Sequence, residues 1–115
     1  MPQPPQRTQI RTAPAARLAQ ACYAQHLTLQ QAADACHMSR FGFSHAFKRE
    51  HGASFVAFLH QVRLQRAAAL LAQQPQAIKA VAYGVGFNDP SYFVRMFRRQ
   101  YGVTPTAFRS ARRFE

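Results

Sequence analysis

The sequence predicts an all-α protein in which two helix-turn-helix subdomains are joined by a long central helix, with about seven helices in total. Three observations predict this fold. A run of strong helix formers without Gly or Pro extends from Ser54 to Gln74. Short helical segments with recognisable caps lie on both sides of that run. A pattern of residues from the first half of the chain recurs in the second half.

The composition describes a small basic protein. Its 115 residues, 48% of them hydrophobic, allow one packed domain or two very small ones. Fifteen Lys and Arg against four Asp and Glu give a formal net charge of +11, which calls for a polyanion, either nucleic acid or an anionic membrane surface. Two cysteines make no disulfide framework, and no apolar run reaches the roughly 20 residues of a membrane span. We therefore expect a cytoplasmic protein without a membrane partner.

The N-terminal part of the chain is predicted to be a tail followed by a helix. Residues 1–12 are rich in Pro and Gln, carry two Arg and show no periodicity, which predicts a disordered basic tail. Pro14 suits the first turn of a helix that runs to about Gln25. The side chains expected to face inward from this helix are Leu18, Ala21 and Cys22.

Two more helices complete the first subdomain, which is predicted over residues 13–54. Thr28 and Gln31 form a capping-box pattern that opens a short helix. Ser39 is placed to cap the next helix, which ends at Gly52. The buried stripe of that helix is expected at Phe43, Ala46 and Phe47.

The central helix is predicted over residues 55–74, with Ser54 as its N-cap. At about 100° per residue, its apolar side chains form two groups on nearly opposite sides. The first group is Phe55, Phe58, Leu59 and Val62, and the second is Leu64, Ala67, Ala68 and Leu71. An apolar face that changes side in this way indicates that one small bundle holds the start of the helix and another holds its end.

The second subdomain is predicted over residues 75–115. A short helix and a glycine-containing turn open it, and Asp89 and Pro90 supply the N-cap and first residue of a longer helix that ends at Gly102. Thr104 is placed to cap the last helix. The side chains expected to be buried in the longer helix are Phe93, Met96 and Phe97.

An internal repeat relates the two subdomains. Phe47, Gly52, Ser54 and Phe58 recur fifty residues later as Phe97, Gly102, Thr104 and Phe108, while Ala33 and Met38 recur at an offset of forty-nine as Ala82 and Phe87. Two copies of short helix, tight turn and helix form a helix-turn-helix pair. In such a motif the N-terminal residues of the second helix meet base edges in the major groove. A central helix of about 27 Å is long enough to hold two such reading helices about one duplex turn apart.

The residues from Met38 to Arg109 resemble the AraC/XylS-type transcriptional regulators, most strongly in FKREHGASFVAFLHQVRLQRAAALL and AYGVGFNDPSYFVRMFRRQYGVTPTAFR. The resemblance implies a seven-helix DNA-binding domain that acts on double-stranded DNA at bacterial promoters, close to the nucleoid, with RNA polymerase as a second partner. Carried over by motif, its base-facing positions are Arg40, Phe41, Ser44, His45, Pro90, Ser91, Val94 and Arg95. Many relatives carry a preceding sensor domain, for which this chain leaves no room, so the chain is expected to be either a small stand-alone regulator or a fragment. No small-molecule effector and no cofactor is expected within it.

The sequence departs from the family pattern at three positions. Members commonly carry Arg where His45 stands, a larger residue where Gly42 stands, and Ser or Thr where Ala77 stands. The departures at Gly42 and His45 lie in the first unit and favour the second unit, with Arg95, as the principal base reader. The first unit is then expected to hold mainly phosphate.

Each candidate contact has a plainer alternative. Arg95 and Arg40 either meet DNA or are solvated surface residues, and His45 either faces the groove or is an ordinary surface residue. Phe41 either contacts a thymine methyl group or packs in the fold. Arg63 is expected to support the fold. The residues farther along the reading helices, predicted to contact phosphate, are Lys48, Arg49, Arg98 and Arg99.

Metal binding and catalysis are not expected. Two Cys and two His (Cys22, His26, Cys36, His37) lack the spacing of a zinc site, and the four carboxylates suggest no nucleophile–base pair. The sequence therefore predicts a sequence-specific DNA-binding transcriptional regulator that is not an enzyme. The alternatives are a module that binds nucleic acid without specificity and a module that binds another protein.

Overall fold

The computed structural model describes residues 10–113, and within them the protein consists of seven α-helices without a β-strand. The helices, numbered in chain order, are α1 (Ala13–Cys22), α2 (Leu29–Ala35), α3 (Arg40–His51), α4 (Phe55–Gln73), α5 (Ile78–Gly84), α6 (Pro90–Tyr101) and α7 (Pro105–Arg113). The predicted all-α class and the long central helix are confirmed. In this part of the chain no helix combines the length and the apolar character needed to cross a bilayer.

The chain forms two compact units, and the boundary between them lies within α4. The first unit ends at His60 and the second begins at Gln61. The division proposed from the sequence treats residues 55–74 as a linker between subdomains. In the structure the two ends of this helix belong to different units.

The caps predicted from the sequence begin the helices as expected. The Thr28 hydroxyl accepts the Gln31 amide at 3.0 Å while the Gln31 side chain accepts the Thr28 amide at 2.8 Å, which completes a capping box. Other helices are capped by a single side chain, since an oxygen at the N-cap satisfies an otherwise unpaired amide of the first turn. These side chains, each with an accepted bond of 2.9–3.1 Å, are Ser39, Ser54, Asp89 and Thr104.

Thr12 belongs to the folded first unit, although the sequence places it in the tail. Residues 1–9 of that predicted tail lie outside the described residues. Thr12 is fully buried, and its carbonyl accepts the amides of Ala15 and Ala16 at the start of α1. Its side chain reaches Glu50 and His51 at the end of α3.

The buried face of α1 differs from the prediction. Ala15 and Ala19 are fully buried, whereas Ala21 is exposed and Leu18 and Cys22 are only half-buried. The helix also ends at Cys22, before the predicted end. The prediction was wrong at Ala21 because half of the residues of APAARLAQAC are Ala and these lie on several sides of the helix, so the alanines do not select one face.

The core of the first unit is built around phenylalanine rings. Phe43, Phe47 and Phe55 are buried, and their ring centroids lie 5.5–5.7 Å apart, with both contacts to Phe55 in edge-to-face geometry. Full burial of one such ring stabilises a fold by about 1.5–3 kcal/mol. The same cluster contains Ala15, Ala19, Ala32, Ala33 and Leu59.

Helix α4 carries its two predicted apolar groups. In the first group Phe55, Leu59 and Val62 are buried and Phe58 is half-buried; in the second, Leu64, Ala67 and Leu71 are buried and Ala68 is half-buried. The change of side along this helix is therefore confirmed. The helix has no Gly or Pro, so no residue in it favours a kink.

The repeat is also present in the ring packing of the two units. Phe47 and Phe58 meet edge-to-face with centroids 5.4 Å apart, and Phe97 and Phe108 meet in the same way at 5.4 Å. The helices α3 and α6 end at Gly52 (φ 79°) and Gly102 (φ 80°), the left-handed conformation that glycine adopts without strain. The predicted correspondence thus holds in three dimensions within each unit.

The turns between the paired helices share one backbone path but use different residues. The Met38 amide bonds the Ala33 carbonyl at 3.0 Å, and the Phe87 amide bonds the Ala82 carbonyl at 3.0 Å. One residue earlier, the chain has positive φ in both turns, at His37 (57°) and at Gly86 (106°). Both are Schellman-type helix ends, and only the second uses the residue that this conformation favours.

Candidate nucleic-acid interface

Helix α3 presents one face of side chains to solvent because its other face is anchored in the core. Phe43, Ala46 and Phe47 are buried, as predicted. At 100° per residue, the positions between them point away from the core. Of the four predicted base-facing residues on this helix, Arg40, Phe41 and His45 are exposed and Ser44 is half-buried.

The most unusual group on this face is an aromatic pair. The Phe41 side chain is 77% exposed, so the alternative that it packs in the fold is wrong. Its ring lies against the His45 ring with centroids 4.3 Å apart. The His45 Nδ1 atom lies 3.0 Å from the Phe41 carbonyl oxygen, which orients the imidazole. An apolar ring so exposed is suited to an external apolar contact.

Helix α6 repeats this arrangement with different chemistry. Phe93 and Phe97 are fully buried, while Met96, predicted to join them, is only half-buried. Arg95 is exposed, and its guanidinium carbon lies 5.6 Å from the centroid of the Tyr92 ring. The other three predicted base-facing residues on this helix are Ser91, which is exposed, and Pro90 and Val94, which are half-buried.

Tyr92 is a residue of this face that the sequence analysis missed. Its ring lies one helical turn before Arg95, where a cation–π contact restricts the directions that the guanidinium takes. The signal was present in the sequence as an aromatic residue and an Arg at i and i+3.

Basic residues occupy the last turn of both reading helices. The four predicted phosphate contacts, Lys48, Arg49, Arg98 and Arg99, are all exposed there. Cations at a helix C-terminus also interact favourably with the helix dipole, so they stabilise their own helices as well. Their contact with phosphate stays a prediction.

The acidic residues are placed where they neutralise little of this positive charge. Glu50 turns inward to the Thr12 hydroxyl, 2.6 Å away, and Asp89 caps α6. Asp34 accepts a hydrogen bond from Gln30 at 2.7 Å on α2. Each carboxylate of the described residues thus has a local structural role, which leaves the arginines of α3 and α6 available to an anionic ligand.

Two other arginines act within the second unit. Arg63 is buried, its guanidinium lies 5.9 Å from the Phe87 ring centroid, and burial lowers its pKa. This agrees with its predicted role in the fold. Arg109, which the sequence analysis did not single out, donates to the carbonyls of Leu71 (3.3 Å) and Gln74 (3.0 Å) at the end of α4.

Within residues 10–113 no three His, Cys, Asp or Glu side chains come together in a way that could hold a metal ion. Cys22 and Cys36 are free thiols, both half-buried. Burial raises the pKa of Cys36, which lowers its reactivity as a thiolate.

Two paired-helix units with exposed, basic second helices define a helix-turn-helix DNA-binding protein. Residues 32–111 match the family described as "Helix-turn-helix domain". The chain belongs to this family and is an AraC-type DNA-binding domain of the transcriptional regulators. The predicted recognition is confirmed, and the family is one of regulators, in agreement with the prediction of a non-enzyme.

Known proteins with the same features support this assignment. The chain is 34% identical over 93 residues to the bifunctional transcriptional activator/DNA repair enzyme AdaA of Bacillus subtilis (strain 168). The matched region covers 81% of this chain and 44% of AdaA. A probable AraC family transcriptional regulator from Rhodopseudomonas palustris CGA009 superposes with a TM-score of 0.83 at 27% identity, covering 89% of this chain and 96% of that one.

The DNA-binding domain of AdpA, solved in complex with a target DNA, superposes with a TM-score of 0.84 at 28% identity. That match covers 90% of this chain and 93% of the AdpA chain. By contrast, this chain spans less than half of the length of the curated relatives that it matches first.

Proposed function

We propose that the protein reads double-stranded DNA sequence-specifically, with α3 and α6 as recognition helices in two successive major-groove segments. The observation that carries this proposal is the duplication of one outward-facing helix, capped, anchored and terminated in the same way in both units. A recognition helix contacts base edges with its N-terminal residues. The exposed residues of α3 and α6 occupy those positions.

The side chains proposed to contact bases differ in chemistry between α3 and α6. The Arg95 guanidinium only donates hydrogen bonds and suits the O6 and N7 acceptors of guanine. The exposed Phe41 ring suits the methyl group of thymine. The last-turn basic residues, Lys48 and Arg49 on α3 and Arg98 and Arg99 on α6, are proposed to hold phosphates, which position the helices without reading sequence.

Helix α4 is proposed to set the separation of the two readers. It is an uninterrupted helix of 19 residues, which corresponds to about 28 Å. A continuous helix transmits both distance and rotation, whereas a flexible linker transmits neither. The spacing of the two DNA segments would then be part of what is recognised, and a single chain would suffice for both.

A second partner is proposed from the family alone. AdaA is described as a transcriptional activator, and the family resemblance suggests contact with RNA polymerase. The main proposal does not depend on this contact.

Selection of bound sequences from a random duplex pool tests the proposal. We expect one enriched site with two conserved segments about one duplex turn apart. A non-specific nucleic-acid binder would enrich no site, and a protein-interaction module would show no duplex affinity even at low salt. Either result would refute the proposal.

Arginine substitutions then separate reading from positioning. Arg95→Ala is expected to cost about 1–3 kcal/mol on the selected site and to relax the preference at one base pair. The matched control, Arg99→Ala, lies one turn later and is expected to weaken binding to all sequences equally and to reduce the salt slope by about 1. Equal losses for Arg95→Ala on every sequence would assign Arg95 to the backbone instead.

A further inference from the structure

The hydrogen bond of His45 determines which of its ring atoms faces a ligand. Nδ1 lies 3.0 Å from the Phe41 carbonyl oxygen. A carbonyl oxygen only accepts hydrogen bonds, so Nδ1 carries the proton and donates it. In the neutral ring Nε2 is then an unprotonated acceptor. The contact with the Phe41 ring, at 4.3 Å between centroids, holds the imidazole in this orientation on the exposed face of α3.

An acceptor at this position has few partners in DNA. In the major groove, the exocyclic amino groups of adenine (N6) and cytosine (N4) are the donors, while guanine N7 and O6 and thymine O4 are acceptors. We propose that His45 is a specificity-determining residue that accepts a hydrogen bond from an exocyclic amino group, of adenine or cytosine, in the segment read by α3. This inference rests on the proposed function of α3 as a recognition helix.

A contact with phosphate is the alternative role for this side chain, and the geometry disfavours it. A phosphate oxygen needs a donor. The donor of the neutral His45 ring is already used by the Phe41 carbonyl within the helix. The outward Nε2 lone pair would face a phosphate oxygen with like polarity, so the base amino group is the better ligand.

The two reading helices would therefore recognise opposite hydrogen-bond polarity. On α3 the outward group is an acceptor beside an exposed apolar ring. On α6 the outward group is the Arg95 guanidinium, which only donates. The two helices would then contact different base atoms, Arg95 the acceptors of guanine and His45 an exocyclic amino group.

The first experiment compares sequence selections by the whole chain and by its His45→Ala variant at about pH 8. We expect the wild type to enrich one base pair at one position of the α3 segment, where the amino group belongs to the adenine of an A·T pair or to the cytosine of a G·C pair. His45→Ala should lose the preference at that position and keep the preferences at the other positions. Circular dichroism confirms that the variant folds, as expected for an exposed position.

The second experiment removes the amino group itself. In the selected duplex, adenine is replaced by 2′-deoxyribosylpurine, or cytosine by 2-pyrimidinone, both of which lack the exocyclic amine. The wild type should bind this duplex about three- to tenfold more weakly, the equivalent of one hydrogen bond. His45→Ala should bind both duplexes equally.

Three results would count against the inference, in distinguishable ways. If removing the amino group from the base pair that His45→Ala relaxes leaves the affinity of the wild type unchanged, His45 accepts no hydrogen bond from that group and the inference is wrong. If His45→Ala relaxes no position, His45 does not read bases, while the proposed function of the protein stands. If the wild type enriches no site, the proposed function and the inference both fail.

Discussion

The contact between Thr12 and the end of α3 leads to a quantitative prediction for the stability of the first unit. The Thr12 hydroxyl donates to Glu50 Oε1 at 2.6 Å, and the Thr12 amide donates to the same oxygen at 3.0 Å. Since the hydroxyl has one proton, its 2.9 Å contact with His51 Nε2 is a bond that the imidazole donates. Thr12→Val keeps the shape of this fully buried side chain and removes both hydroxyl bonds.

The expected cost follows from the charge of the acceptor. A hydrogen bond to a charged group is worth about 1.5–3 kcal/mol, more than one between neutral groups. The other carboxylate oxygen of Glu50 is buried without a hydrogen-bond partner among the described residues, and in Thr12→Val the first oxygen keeps the Thr12 amide but loses the hydroxyl. We expect Thr12→Val to lower the free energy of unfolding by about 2 kcal/mol at neutral pH.

The stability difference between wild type and Thr12→Val is expected to depend on pH, because it involves the ionised form of Glu50. Burial raises the pKa of Glu50, but the hydrogen bonds from the Thr12 hydroxyl and from the Thr12 and Arg11 amides, together with the charge of His51, lower it by more, so it lies below its ordinary value of 4.5. A carboxylate with a lowered pKa stabilises the fold above its unfolded-state pKa and loses this effect as the pH falls through the folded-state pKa. The difference between wild type and Thr12→Val should therefore be full at neutral pH and shrink in acid, and the variant should unfold at higher pH than the wild type.

Urea denaturation followed by circular dichroism measures the free energy of unfolding, and hydrogen exchange of the α1 amides assigns the change to the first unit. Thr106→Val, at an exposed position of α7, is the matched control and should lie within about 0.5 kcal/mol of the wild type. A Thr12→Val protein as stable as the wild type would refute the reasoning, as would a loss of the same size at neutral and acid pH.

Three further predictions concern the turns and α4. His37→Gly should raise the free energy of unfolding by about 0.5–1 kcal/mol in urea denaturation, because glycine adopts a positive φ without strain. Gly86→Ala should lower the free energy of unfolding for the same reason. The opposite signs would contradict the backbone conformation assigned to the two turns. Arg109→Met keeps an aliphatic side chain and should lower the free energy of unfolding by about 1 kcal/mol, since two carbonyls at the end of α4 lose their donor. An unchanged free energy of unfolding would show that water replaces these hydrogen bonds. Two alanines inserted between His60 and Gln61, at the boundary of the units, add about 200° of rotation and about 3 Å. In a gel-shift assay they should abolish high-affinity binding while the helical content is kept, and unchanged affinity would rule out α4 as a spacer.

Most helix boundaries were predictable because their signals are local. The capping box of Thr28, the N-cap Asp89 with its following proline, and the glycines at Gly52 and Gly102 act on backbone groups within about four residues. The repeat was predictable for the same reason, since equal local constraints recur at equal spacing. The buried face of α1 was not, because its five alanines lie on several sides of the helix and do not select one face.

The order of residues along the chain by itself determined the helices, most of their ends, the duplication and the buried phenylalanines that anchor α3 and α6. Only the tertiary structure decided that Thr12 joins the fold through Glu50, that Arg109 caps α4, and that Phe41 stays open to solvent. The first two contacts join residues 35–39 positions apart, and many surface arginines and threonines are chemically equal candidates for them. Their choice depends on which helix ends the packed core brings within hydrogen-bond distance, and no spacing in the sequence encodes that distance.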